Sequence, residues 1–108
     1  MRTTEPRARV LEAFLADPHA RRYGYELMKL ANLQSGTLYP LLSRLQDEGM
    51  VTSQWEAPTE PGQRPRRYYE LTGEGVRAAR LELAEAGLAQ RQGARPQGAR
   101  RPATGGIF

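Results

Sequence analysis

From Ser35 to Leu45 the chain reads SGTLYPLLSRL, and Leu38, Leu41, Leu42 and Leu45 recur at helical spacing. Pro40 stands among them, although a proline inside a helix removes a hydrogen bond and clashes with the turn before it. The two facts are compatible if the helix begins shortly before the proline. The spacing therefore predicts a helix from about Ser35 to Glu48, with Pro40 in its opening turn and Gly49 as its stop. With the leucines inward, Gly36, Pro40 and Ser43 face outward, and Tyr39 and Arg44 flank them. This outer surface is small and nearly uncharged, so it can approach another surface closely.

The flanking segments divide by the same rules. Thr4 caps a first helix with Glu5 and Pro6 in its first turn, Val10, Leu11, Phe14 and Leu15 on its apolar face, and Asp17-Pro18 beyond its end. HARRYG reads as a polar connection, YELMKLA as a short second helix, and Asn32 to Gln34 as a tight turn. After Gly49, VTSQWE alternates with period two, APTEPGQRP cannot continue it, and RRYYEL returns as a second strand. Thr72 then caps a fourth helix reaching the region of Gly87 to Gln92. The remainder, rich in Gly, Pro and Arg, carries no apolar pattern and is expected to be disordered.

This order, α-α-α-β-β-α, predicts a mainly α fold with a two-stranded β-hairpin: a winged helix-turn-helix. The expected division is 1–71 for the winged domain, 72–92 for a C-terminal dimerisation helix and 93–108 for the tail. A chain of 108 residues suits one small domain. No run is long and apolar enough for a membrane span, and no secretory start is present, so a cytoplasmic protein is expected. With no cysteine, disulfide and thiolate chemistry is excluded.

The net charge is +4, yet Arg91, Arg95, Arg100 and Arg101 lie beyond residue 88 without an acid, so residues 1–88 balance at zero. An interaction with nucleic acid must then rest on where the arginines sit. On the third helix, Tyr39 can donate to a phosphate or pack on a thymine methyl, and Arg44 can pair with a phosphate or read guanine. Asp47 and Glu48 would repel DNA at the other end, which directs the N-terminal half toward the major groove. The plainer reading is a solvated face with an Arg44–Glu48 pair. In the hairpin loop, Arg64, Arg66 and Arg67 form a second cationic group, suited to phosphates, or else to surface pairs with Glu56, Glu60 or Glu70.

Trp55 and Tyr69 read as sheet-core residues, and Arg21 and Arg22 as backbone contacts or solvated charges. His19 stands alone, so no metal site is expected, and Asp17, His19 and Ser35 have no spacing that makes them a triad. No catalytic residue and no cofactor motif is found. The fourth helix carries Val76, Ala79, Leu83 and Ala86 on one face and Leu81, Ala84 and Leu88 on another. Two apolar faces suggest a second burial surface, and a two-fold partner is its simplest source. The expected homodimer interface uses Val76, Leu81, Leu83, Ala84 and Leu88.

At GTLYPLLSRL, Trp55-Glu56 and RPRRYYELTGEG the chain resembles the phenolic-acid-decarboxylase-regulator (PadR) family of transcription factors, over roughly Arg22 to Val76. The resemblance implies a homodimeric, sequence-specific regulator, usually a repressor, binding a palindromic operator in double-stranded DNA. It makes Thr37 and Tyr39 groove contacts and Arg64 and Arg66 wing contacts. With the outward face, the helix candidates are Ser35, Gly36, Thr37, Tyr39, Pro40, Ser43 and Arg44. Longer members add a multi-helix C-terminal domain, whereas one helix and a tail follow here, as in the short subgroup; a small-molecule effector is left open as a partner. The competing function is a winged-helix module whose GQRPRR loop binds an acidic protein.

Overall fold

The structure is a computed structural model that describes residues 3–94, with side chains through residue 87. Helix α1 spans Glu5–Leu15, α2 Gly24–Ala31, α3 Ser35–Asp47 and α4 Gly73–Ala94; strands β1 (Arg22–Tyr23), β2 (Val51–Glu56) and β3 (Arg66–Leu71) complete the fold. The strands form one antiparallel sheet in the order β1-β3-β2. The expected hairpin is present, and the structure extends it. Arg22 and Tyr23, expected within a polar connection, pair with Tyr69 and Tyr68. Pairing there gives the outer edge of β3 partners for its backbone N–H and C=O groups. In the hairpin Val51 faces Leu71 and Trp55 faces Arg67.

The termini of the helices follow local chemistry. The Thr4 hydroxyl accepts from the Arg7 amide at the start of α1. Asn32, left-handed at φ 55°, closes α2: the Asn32 amide donates to Lys29 and the Leu33 amide to Met28. Gly49, at φ 78°, ends α3 with the paired bonds of a Schellman turn, Gly49 to Gln46 and Met50 to Leu45, each 3.0 Å. Thr72 caps α4 by accepting from the Gly75 amide at 2.8 Å while its hydroxyl faces the carbonyls of Gly49 and Met50. A β-carbon at Gly75 would collide with the Met50 carbonyl, so glycine lets α4 start directly against β2.

Pro40 corrects the opening-turn expectation. The helix starts at Ser35 with Gln34 as its cap, which places the proline at the sixth helical position. The Gly36 carbonyl therefore loses its intrahelical donor. That carbonyl belongs to the exposed outer face, where solvent can satisfy it.

The core gathers Val10, Leu11 and Phe14 of α1, Leu27 and Ala31 of α2, Leu38, Leu42 and Leu45 of α3, and Met50, Val51, Tyr69 and Ala79. Leu41 is only partly buried at its edge. Leu83 packs on this core and Val76 is half-buried, so these two members of the expected dimer surface also serve the domain itself. Leu81 and Ala84 are exposed, and the Leu88 side chain lies outside the described residues. Helix α4 runs through Gly93 and Ala94, two residues past the expected boundary, and the rest of the tail lies outside the described residues.

Candidate nucleic-acid interface

Helix α3 presents its leucines and its polar face as the spacing requires. Leu38, Leu42 and Leu45 are buried, whereas Ser35, Gly36, Thr37, Tyr39, Pro40, Ser43 and Arg44 are all exposed. Gln34 makes no side-chain cap bond, so the first amides of α3 have no side-chain acceptor from their own cap residue. Such amides favour anions. Among the described residues Arg44 forms no ion pair, and the plain Arg44–Glu48 alternative is replaced by another partner.

That partner is Arg7, which sequence reasoning missed. The residue is 6% exposed, and its guanidinium bridges three helices. The Nε and Nη2 atoms donate to Glu82 of α4 at 2.6 and 3.0 Å, while Nη2 and Nη1 donate to Glu48 at the end of α3 at 2.7 and 3.3 Å. Thr3 donates to the same Glu82 carboxylate at 2.8 Å. These hydrogen bonds hold Glu82 below the usual carboxylate range and raise Arg7 further above its ordinary value. Glu48 is thus a structural carboxylate.

The structure separates the three arginines expected in the hairpin loop: Arg64 lies in the loop, whereas Arg66 and Arg67 open β3. Arg64 is exposed in the loop between β2 and β3. Arg66 pairs with Glu56 at 3.1 Å and lies 4.6 Å from the Tyr23 ring centre. The Tyr23 hydroxyl also donates to Glu56, at 2.8 Å, and this bond holds Glu56 below the usual carboxylate range. Arg67 donates to the Ser53 hydroxyl from Nε and Nη2 at 3.1 and 2.7 Å, and no carboxylate among the described residues pairs with it. Ser53 in turn donates to Gln46 of α3 at 2.8 Å, tying the wing arginine to the helix. Arg21 stacks on Tyr68, 4.5 Å from its centre.

Trp55 departs from the expected sheet core: it is 66% exposed, whereas Tyr69 is buried as expected. The core covers the sheet near Val51, Tyr69 and Leu71, and Trp55 lies farther along the hairpin, where no helix packs over it. Between this part of the wing and helices α2 and α3 runs an open cleft of about 500 Å³, lined by Tyr25, Met28, Tyr39, Trp55, Arg67 and Tyr69 among others. Among the described residues no group of side chains could hold a metal ion, and no helix is long and apolar enough to cross a membrane.

The chain matches the family model described as "Transcriptional regulator PadR-like family" over residues 14–81. It is 31% identical to a PadR family transcriptional regulator from Eggerthella lenta, covering 83% of this chain and 79% of that one at a TM-score of 0.61. It is 29% identical to a PadR-like transcription factor from Bacteroides fragilis, covering 82% and 89% at a TM-score of 0.58. A transcriptional regulator from Clostridium thermocellum shares the fold, with 23% identity over 80% and 86% of the two chains and a TM-score of 0.65. No curated protein matches. The winged helix with an exposed third helix, together with the family match over most of the domain, places this chain in the PadR-like family of DNA-binding transcriptional regulators.

Proposed function

We propose that the protein is a homodimeric repressor that reads an inverted repeat, with residues 1–71 as the DNA-binding unit and α4 as the dimerisation helix. The N-terminal half of α3 enters the major groove, where Thr37, Tyr39, Ser43 and Arg44 meet base edges or phosphates and Ser35, Gly36 and Pro40 allow close approach. The wing adds phosphate contacts. Arg64 and Arg67 carry the charge available for this, because Arg66 already faces Glu56 and must exchange that carboxylate for a phosphate.

The observation that carries the reading is the division of α3: three leucines buried, and seven outward residues exposed beside a cationic hairpin. Two copies related by a two-fold axis would present two such helices to the two halves of a palindrome. The test is selection of genomic fragments by the full chain, followed by binding to the selected site and a scrambled duplex over a salt series. Enrichment of an inverted repeat, with affinity falling steeply as salt rises, is expected. Equal and salt-insensitive retention of all fragments would reject the reading.

A further inference from the structure

Arg7 is the only buried charged residue among the described residues, and its two partners belong to different helices. Glu48 is the C-cap of α3, and Glu82 stands near the middle of α4. Helix α1, which carries Arg7, packs on both, whereas α3 and α4 have little direct contact with each other. Two nitrogens reach each carboxylate: Nε and Nη2 meet the two oxygens of Glu82, and Nη2 and Nη1 meet those of Glu48. The guanidinium also lies 3.7 Å from the sulfur of Met50, just past the turn that ends α3. One planar fork thus fixes the directions of two helices at once.

Stability alone does not explain this arrangement. Taking such charges out of water is costly, and apolar side chains of similar volume often hold a buried site as well or better. What the bridge adds is a defined geometry. Apolar surfaces can slide over one another, whereas a bidentate pair accepts a narrow range of angles. Helix α4 is anchored at its start by Thr72 and by the close approach of Gly75 to Met50. Ala79 is the last fully buried residue among its described side chains. An anchor at one end leaves the rest of the helix free to swing. Glu82 follows Ala79 by three positions, on the same side of the helix, and there Arg7 and Thr3 hold it.

The bridge meets α3 at the end away from its N-terminal half, which makes the helix a lever. The 13 residues of α3 span about 20 Å, so turning it by about 10° at Glu48 moves Ser35 by about 3.4 Å, the rise of one base pair. We propose that the Arg7 bridge sets the angle between α4 and α3, and thereby the separation of half-sites that the dimer accepts. The proposal rests on the homodimeric, inverted-repeat reading given above and adds to it a determinant of site choice. Arg7, Glu48 and Glu82 are positioning residues: they act through the helices that they join and not on a base or a phosphate.

The inverted repeat selected by the full chain is rebuilt as a series of duplexes whose half-sites stand closer together or farther apart in steps of one base pair. The unaltered protein is expected to prefer one separation. Arg7→Met combined with Glu48→Gln and Glu82→Gln removes all three charges. Arg7→Lys keeps the cation but loses the fork that reaches both carboxylates. Both variants are expected to stay folded by circular dichroism, dimeric by sedimentation and unchanged in affinity for a single half-site. Their discrimination between the preferred and the adjacent separations is expected to narrow by about tenfold, the order of one well-placed base contact. A lower denaturation midpoint with an unchanged spacing profile would make the bridge a purely structural element and overturn the proposal. Unfolding of both variants would overturn it in the same way. An inverted repeat bound equally well at every separation by the unaltered protein would overturn the proposal and leave the dimeric reading standing. Absence of any inverted repeat from the selected fragments would remove both.

Discussion

The ring of Tyr39 in α3 lies across the main chain of Gly24 in α2: a β-carbon at position 24 would collide with the phenol oxygen and stand 3.0 Å from Cζ. The first residue of one helix thereby sets the direction of an exposed aromatic on the next. Tyr39 is 44% exposed, so its orientation is held by this backbone contact more than by burial.

Gly24→Ala is therefore expected to turn Tyr39 aside and to act on DNA binding much as Tyr39→Ala does. If Tyr39 touches base edges, Tyr39→Ala loses roughly 1–3 kcal/mol of specific binding with a smaller loss on random DNA. The double variant should lose little more than either single one, a coupling that a binding cycle over all four proteins measures. Additive losses would separate the two positions. A collapse of thermal stability in Tyr39→Ala would make it a packing residue.

Arg7→Met is expected to destabilise the fold by roughly 3 kcal/mol, read as a lower denaturation midpoint in urea. The loss leaves the carboxylates of Glu48 and Glu82 facing each other without their shared cation. Both carboxylates keep some solvent, which places the cost near the low end for a broken buried pair. A double replacement with Glu48→Gln and Glu82→Gln should recover part of it, since the uncompensated charges are then gone.

The pH dependence follows from Glu82, whose carboxyl is held below its ordinary value by the hydrogen bonds from Arg7. A group with a depressed folded pKa contributes stability that is complete above its unfolded value and is lost as pH falls through the folded one. Melting temperature should therefore stay level from neutral pH to the ordinary carboxylate range, and fall below it. Glu82→Gln should be less stable at neutral pH and show a shallower acid slope. A wild-type acid limb identical to that of Glu82→Gln would remove this assignment.

Leu81 is 60% exposed on α4, on the side away from the core. Leu81→Glu combined with Leu88→Glu is expected to yield a folded monomer with a native circular dichroism spectrum and weak affinity for the full inverted repeat. Sedimentation that finds the double variant dimeric at micromolar concentration would place the two-fold interface elsewhere. Leu83→Glu is a different case, because Leu83 packs on the core and its replacement should lower stability as well.

Much of this molecule is legible in its sequence because the determinants are local. Gly49 and Thr72 announce the end of α3 and the start of α4 through backbone bonds to residues a few positions away. Leucine spacing alone divides α3 into a buried side and the seven exposed candidates. What the tertiary structure decided involves segments far apart in the chain. Arg7 reads as one more charge on a polar helix until the fold brings Glu48 and Glu82 to it, 41 and 75 residues away. Arg22 and Tyr23 become a strand only because β3 arrives with an open edge. Trp55 looks like a core aromatic, and it is exposed because the hairpin runs on past the last helix that could cover it. Local hydrogen bonding and periodicity are written in neighbouring residues, whereas ion pairing, strand addition and burial depend on which distant surfaces the folded chain brings together.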